Sequence, residues 1–206
     1  MESTTPIDTT RSVEIDWNRE LFEQLDWHWQ GHLRPRLEQL SDHEYLWEPV
    51  PGCWSLRRRG DARSPMAAGA GDTIADLEYP EPQPPPFTTI AWRIGHISIG
   101  VLGMRAANHF GTPGTVDYQT TDWPLTAAGG LALLDHHYER WTAGVRSLGE
   151  EGLRRPCGPA EGPFAEYPMA ALVLHISREV IHHGSELCLM RDLYRASHGG
   201  TDWRTS

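Results

Sequence analysis

The 206 residues carry 18 Lys plus Arg against 28 Asp plus Glu, a net charge of −10 at neutral pH. That balance argues against a nucleic-acid partner, because phosphate binding needs local positive potential, and the length suits one domain with a proper core. Cys53, Cys157 and Cys188 are odd in number and contain no CxxC pair, so neither a disulfide framework nor a Cys-rich zinc site is expected. The start, MESTTPIDTTRSVE, lacks a cationic head followed by an apolar run. Nothing approaches the ~18 consecutive apolar residues of a membrane span. The expectation is a soluble cytoplasmic protein.

Residues 1–15 are Thr-rich and aperiodic and read as a flexible arm, leaving 16–206 as a single domain. From Asp16 as N-cap, Leu21, Leu25, His28, His32 and Leu33 recur at helical spacing, continued by Leu37 and Leu40. Pro35 should kink this first helix. A second helix is expected from FTTIAWRIGHISIGVLGMRAANHFG, capped by Thr88 or Thr89, ended by Gly111 and apolar nearly all round. Leu131, Leu134, Tyr138, Trp141 and Val145 form the stripe of a third, from about Thr126 to Leu148. The fourth starts near Pro168 and runs to about Ala196.

Two connections are long. Ser41 to Phe87 holds Trp47 and Trp54 among prolines, and a loop of that length in a compact domain is usually functional or partly disordered. It also contains Arg57-Arg58-Arg59, read as a solvated basic run, and has room for a short hairpin within 45–80. RRPCGPAEGPFAEYP, residues 154–168, links helices three and four. The fold class expected is all-α, a four-helix bundle.

The fourth helix contains HISREVIHHGSEL, residues 175–187. His175, Glu179 and His183 stand at i, i+4 and i+8 and share a face, whereas His182 points about 100° away from His183. A pair four apart can place two donors on one metal ion at about 2.0–2.2 Å each. A histidine-rich surface, with Glu179 and His183 partly exposed or paired with arginines such as Arg178 or Arg191, accounts for the stretch slightly better, and both readings stay open on it alone. A third ligand must come from another helix, and His96, amid Ile94, Ile97, Ile99 and Val101, is the best supply.

Glu179 to His182 spells ExxH, but no second ExxH exists for a di-iron site, and HExxH is absent. His136 and His137 are successive and diverge, which suits packing or surface roles. His28 and His32, next to Trp27 and Trp29, line the same pocket or simply pack.

The stretches LRPRLEQL, YLWEPVPGCWS, PFTTIAWRIGHI, CGPAEGPFAEYPMAALVLHISREVIHHGSEL and LMRDLY, spread from Asp16 to Tyr194, resemble the DinB superfamily. The likeness is to its actinobacterial branch of mycothiol-dependent, maleylpyruvate isomerase-type bundles. It implies a divalent metal held by His96, Glu179 and His183. Zn²⁺ is favoured by two imidazoles and a carboxylate, and Ni²⁺, Fe²⁺ or Mn²⁺ are compatible.

It further implies a low-molecular-weight thiol such as mycothiol, used as a metal-activated nucleophile on a small electrophile by an S-transferase or thiol-assisted isomerase. His175, His28 and His32 are then candidates for proton transfer, and Trp47 and Trp54 for the cofactor-binding wall of the pocket. A homodimer is expected. The alternatives are a metal-dependent hydrolase of a small molecule and a non-catalytic metal-stabilised bundle. A metal-free binding module is a third.

Overall fold

The computed structural model of the protein describes residues 14–199. The expected flexible arm, 1–15, and the last residues of the expected domain therefore lie almost wholly outside the described residues.

Helix α1 (Trp17–His28) begins where the Asp16 carboxylate accepts the Arg19 amide at 3.0 Å. It passes without a break into a wide π turn (Trp29–Leu33), closed by the Arg34 amide on the Trp29 carbonyl, five residues back. Pro35, which cannot continue the ladder, then starts a short 3₁₀ turn (Pro35–Leu37). The kink expected at Pro35 is thus spread over two irregular turns.

The long connection is not a loop throughout. It holds the single turn α2 (Asp42–Tyr45) and an antiparallel pair, β1 (Leu56–Arg58) and β2 (Thr73–Ala75), with Leu56 opposite Ala75. The fold is therefore mostly helical rather than purely α. Asp76 anchors this pair. Its fully buried carboxylate accepts the Ser55 and Arg63 amides and the Arg57 Nε–H, which satisfies a charge that would otherwise be costly to bury.

Helices α3 (Ile90–Gly95) and α4 (Met104–Phe110) are joined through a π-helical stretch (His96–Gly103) into one continuous rod. Thr89 caps its start and Gly111 its end, as expected. Helix α5 (Ala127–Arg146) is capped by Thr126. The third helix ends at Arg146 rather than Leu148 because the chain turns through Gly149 at φ +61° into the short α6 (Gly149–Arg154). Helix α7 (Met169–Ser197) follows Pro168.

Four long helical stretches thus make the core. The α1 rod packs on α5 and α7, and the 90–110 rod packs on the same two. Leu33, Leu37, Ile90, Ile94, Ile97, Leu102, Leu134, Val180 and Leu187 are fully buried between them. Each such side chain is worth about 1.5–3 kcal/mol in removed apolar surface. Gly184 lets the π turn after α1 approach α7, since a Cβ there would stand 2.7 Å from Leu33. No helix among the described residues is long and apolar enough to cross a membrane.

Candidate metal centre

The 90–110 rod and α7 bring the helix-two histidine to the histidine-rich face. The His96 and His183 rings lie 4.9 Å apart, centre to centre and nearly perpendicular at 84°. Glu179, one turn before His183, has its Oε2 3.5 Å from His183 Nε2. Two donors each about 2.1 Å from a tetrahedral ion stand about 3.4 Å apart, so that spacing fits a shared ion.

Both imidazoles are fixed through their other nitrogen. His96 Nδ1 meets the Tyr118 hydroxyl at 2.8 Å. His183 Nδ1 lies 2.8 Å from Glu186 Oε2 and 3.2 Å from Arg93 Nη1. Arginine only donates and an ionised carboxylate only accepts, so Nδ1 cannot bond both. The shorter contact assigns Nδ1–H to Glu186, while Arg93 is held electrostatically by Glu186, Nε to Oε2 at 3.2 Å.

In the neutral ring, His183 Nε2 then presents a lone pair to the Glu179 oxygen. Two such atoms at 3.5 Å repel until a cation or a proton joins them. Ligating histidines characteristically show this anchoring of the distal nitrogen by a carboxylate or a hydroxyl. Burial, with the nearby His183, Arg93 and Arg105, pushes His96 down to about 3, so it is a neutral imidazole at physiological pH. Neutral imidazole is the form that ligates. The chemistry of these donors suits a divalent ion, with the Glu179–His183 pair at the spacing of a shared ion.

The local sequence makes room for this. A Cβ on Gly100 would lie 2.5 Å from the Tyr118 hydroxyl and 3.2 Å from His96 Nδ1, so glycine at that position admits their hydrogen bond. Trp92, one turn before His96, stacks parallel on it at 5.3 Å and donates its indole N–H to the Asp76 carbonyl. The hairpin connection therefore braces one side of the centre.

Another group shares His183. Among the described residues, the His/Cys/Asp/Glu trio whose ligand atoms all lie within 4.8 Å of one another is His182, His183 and Glu186. It omits His96 and Glu179. Two observations weigh against it as the principal centre. The His182 side chain is 65% exposed, and Glu186 is already neutralised by Arg93.

The remaining expected site residues are dispersed. His175 sits one turn before Glu179, Nδ1 to Oε1 at 3.5 Å, and takes a 2.8 Å contact from Arg178 Nη2. Trp54 reaches the centre only through Trp92, ring to ring at 5.6 Å. Trp47 packs edge-on against Tyr194 and His198, beyond the C-terminal end of the centre. His28 and His32 border a different cavity, with Arg36, Cys188 and Asp192, that is lined by none of His96, Glu179 and His183.

Neither arginine named as a partner for the acids competes strongly. Arg191 is committed to Glu44, and Arg178 lies 3.8 Å from Glu179. Tyr118, Arg93 and Gly100 were not singled out by spacing. Glu186, at i+3 from His183 within HISREVIHHGSEL, carries the one sequence signal that could have marked it.

The profile of the DinB superfamily matches residues 66–187, more than half of the chain. The chain belongs to the DinB superfamily. The matched span contains His96, Tyr118, Glu179, His183 and Glu186, and stops short of His28, His32, Trp47 and Trp54. No curated protein and no solved structure matches this DinB chain.

Proposed function

We propose that this DinB protein is a metal-dependent enzyme of the mycothiol-using, four-helix-bundle kind. It would direct a low-molecular-weight thiol at a small electrophile, as an S-transferase or a thiol-assisted isomerase. The observation that carries the reading is His183 Nε2 facing Glu179 Oε2 at 3.5 Å, with the His96 ring alongside. The superfamily includes metal-binding enzymes, which agrees with it.

His96, Glu179 and His183 would hold the ion, Zn²⁺ by preference of the donor set. Three protein donors leave a position for a guest, and a divalent ion there supplies Lewis acidity that favours the deprotonated thiol near neutral pH. Tyr118 and Glu186 hold the two rings in register. Trp92, flat against His96, keeps water from that face.

His175 would be the residue that moves a proton. Arg178 donates to its Nδ1, so the neutral ring carries its proton on Nε2. That proton is directed away from Glu179, which Nδ1 faces at 3.5 Å, and would serve a group on the other side of the ring.

Metal analysis of the purified protein, followed by thiol consumption with a model electrophile, tests the proposal. We expect near-stoichiometric divalent metal and thiol-dependent turnover that His183→Ala abolishes. Full turnover in that variant would remove the mechanism. Product formation without added thiol would point to hydrolysis instead.

A further inference from the structure

A cavity of about 510 Å³ opens between α7 and the turn at residues 159–164. It adjoins the metal centre, because His175 on its wall is one turn from Glu179 and Arg105 follows His96 along the same rod. Its lining has two characters. Arg105, Glu161, His175 and Arg178 are polar, whereas Phe164 and Tyr167 present aromatic faces.

The turn that forms the outer wall is pinned. Glu161 Oε1 lies 2.9 Å from His109 Nε2, both side chains being almost fully buried. That hydrogen bond, reinforced by Arg105, holds Glu161 below the usual carboxylate range. The Gly158 amide closes the base of the turn on the Ala165 carbonyl at 2.8 Å. The cavity is therefore preformed rather than an accident of a loose loop.

Its charge is incompletely matched. The one carboxylate in the lining, Glu161, is spent on His109 and stands 3.7 Å from Arg105 Nε, too far for a hydrogen bond. That Nε is buried with no hydrogen-bond partner among the described residues, while Nη1 donates to the Gly100 carbonyl, so no carboxylate there is free to neutralise the charge. Arg178, 68% exposed, touches only His175 and, at 3.8 Å, Glu179 among the described residues. Two guanidinium groups therefore border a concave space that holds one committed anion. Beside them Phe164 and Tyr167 stay 61% and 55% exposed, their rings 5.7 Å apart and inclined at 70°. Large aromatics left open in a concavity of this size mark a small-molecule site.

We propose that this cavity binds a small organic carboxylate with a flat apolar body. The carboxylate would pair with Arg178, whose fork geometry matches it, with the Arg105 charge behind, and the body would lie against Phe164 and Tyr167. His175 borders both this cavity and the Glu179 side of the metal centre. The ligand would thus be the electrophile of the reaction above. That identification rests on the proposed function, whereas the carboxylate site itself does not.

The test uses 4-fluorobenzoate and its neutral isostere 4-fluorobenzamide, with fluorine NMR titration of the full chain. We expect the acid to bind at least tenfold more tightly than the amide. Arg178→Met should weaken the acid about tenfold, with Arg178→Lys recovering part, and Tyr167→Ala should weaken acid and amide alike. Arg178 is exposed, so its variants keep the test decisive if Arg105→Met fails to fold.

Equal affinity for acid and amide, or an unchanged affinity in Arg178→Met, would overturn the proposal. So would displacement of the acid by inorganic phosphate as effectively as by unlabelled benzoate. Repeating the titration after chelation separates the two readings. A protein that takes up no metal yet binds the acid loses the proposed function and keeps this site.

Discussion

His183 uses its two nitrogens differently, and the residues that hold Nδ1 decide whether Nε2 can ligate. Outer partners of this kind typically govern metal affinity by about 10–100-fold. Tyr118→Phe and Glu186→Gln should each weaken metal binding within that range in a chelator competition, with the fold intact by circular dichroism. Gly100→Ala should do the same from the opposite side, because its Cβ displaces the Tyr118 hydroxyl. Affinity unchanged in all three would mean that the rings are held by packing alone.

A second buried histidine adds to the response to acid that neutral His96 already implies. His137 is only 5% exposed, its Nδ1 has no hydrogen-bond partner among the described residues, and burial, then His136 and Arg140, push it down to about 4. The unfolded chain takes up this proton near pH 6.5 and the folded one near 4. Stability is therefore intact above 6.5, falls between 6.5 and 4, and loses nothing more from this group below that. The full loss is on the order of 3 kcal/mol. His137→Leu should flatten the fall in urea-unfolding free energy between pH 7 and 4.5; coincident slopes would remove His137 as the cause.

Elements whose boundaries are written in local chemistry were legible before any coordinates. Asp16, Thr89 and Thr126 cap helices because their side chains accept amides of the first turn, and Pro168 and Gly111 bound them for equally local reasons. The β1–β2 pair was allowed for but not located. Three-residue strands are too short to show an alternating pattern, and their partners are far apart in sequence. The π stretch at His96–Gly103 left no trace either, since a helix apolar on all sides has no phase in which to read a widened turn.

Arg191 illustrates the same limit. It is a charge with 1% exposure on α7, and its partner is Glu44 on α2, Nε to Oε1 at 2.6 Å. It also donates to the Arg36 and Glu38 carbonyls. Arg191→Ala should cost about 3–5 kcal/mol by stranding Glu44. Glu44→Met with Arg191→Met should recover only part, because the two carbonyls still lose their donor at about 1–3 kcal/mol each. Urea unfolding of both variants checks this, and a single variant within 1 kcal/mol of the parent would show that α2 is not tied down here.

At the scale of the whole molecule, the shared face of α7 was readable because that helix is long and regular in phase, whereas His96 opens a π-helical stretch on another rod. His175, Glu179 and His183 share a face by arithmetic, and only the docking of the 90–110 rod on α7 had to be supplied by the fold. The dispersed residues failed for the converse reason. Trp47, His28 and His32 sit on elements whose direction changes at the irregular turns between Trp29 and Tyr45.

An ion joining α7 to the 90–110 rod binds the folded chain and not the unfolded one, so it must stabilise globally. At 100-fold excess over its Kd the gain is about 2.7 kcal/mol. For a chain of this size that corresponds to a rise in Tm of roughly 5–10 °C. His96→Ala and Glu179→Ala should erase the rise produced by added Zn²⁺, while His182→Ala should keep it. The reverse pattern would place the ion on the His182, His183 and Glu186 trio within one helix. Such an ion would link no two elements, and the reading of His96 and Glu179 as ligands would fall with it.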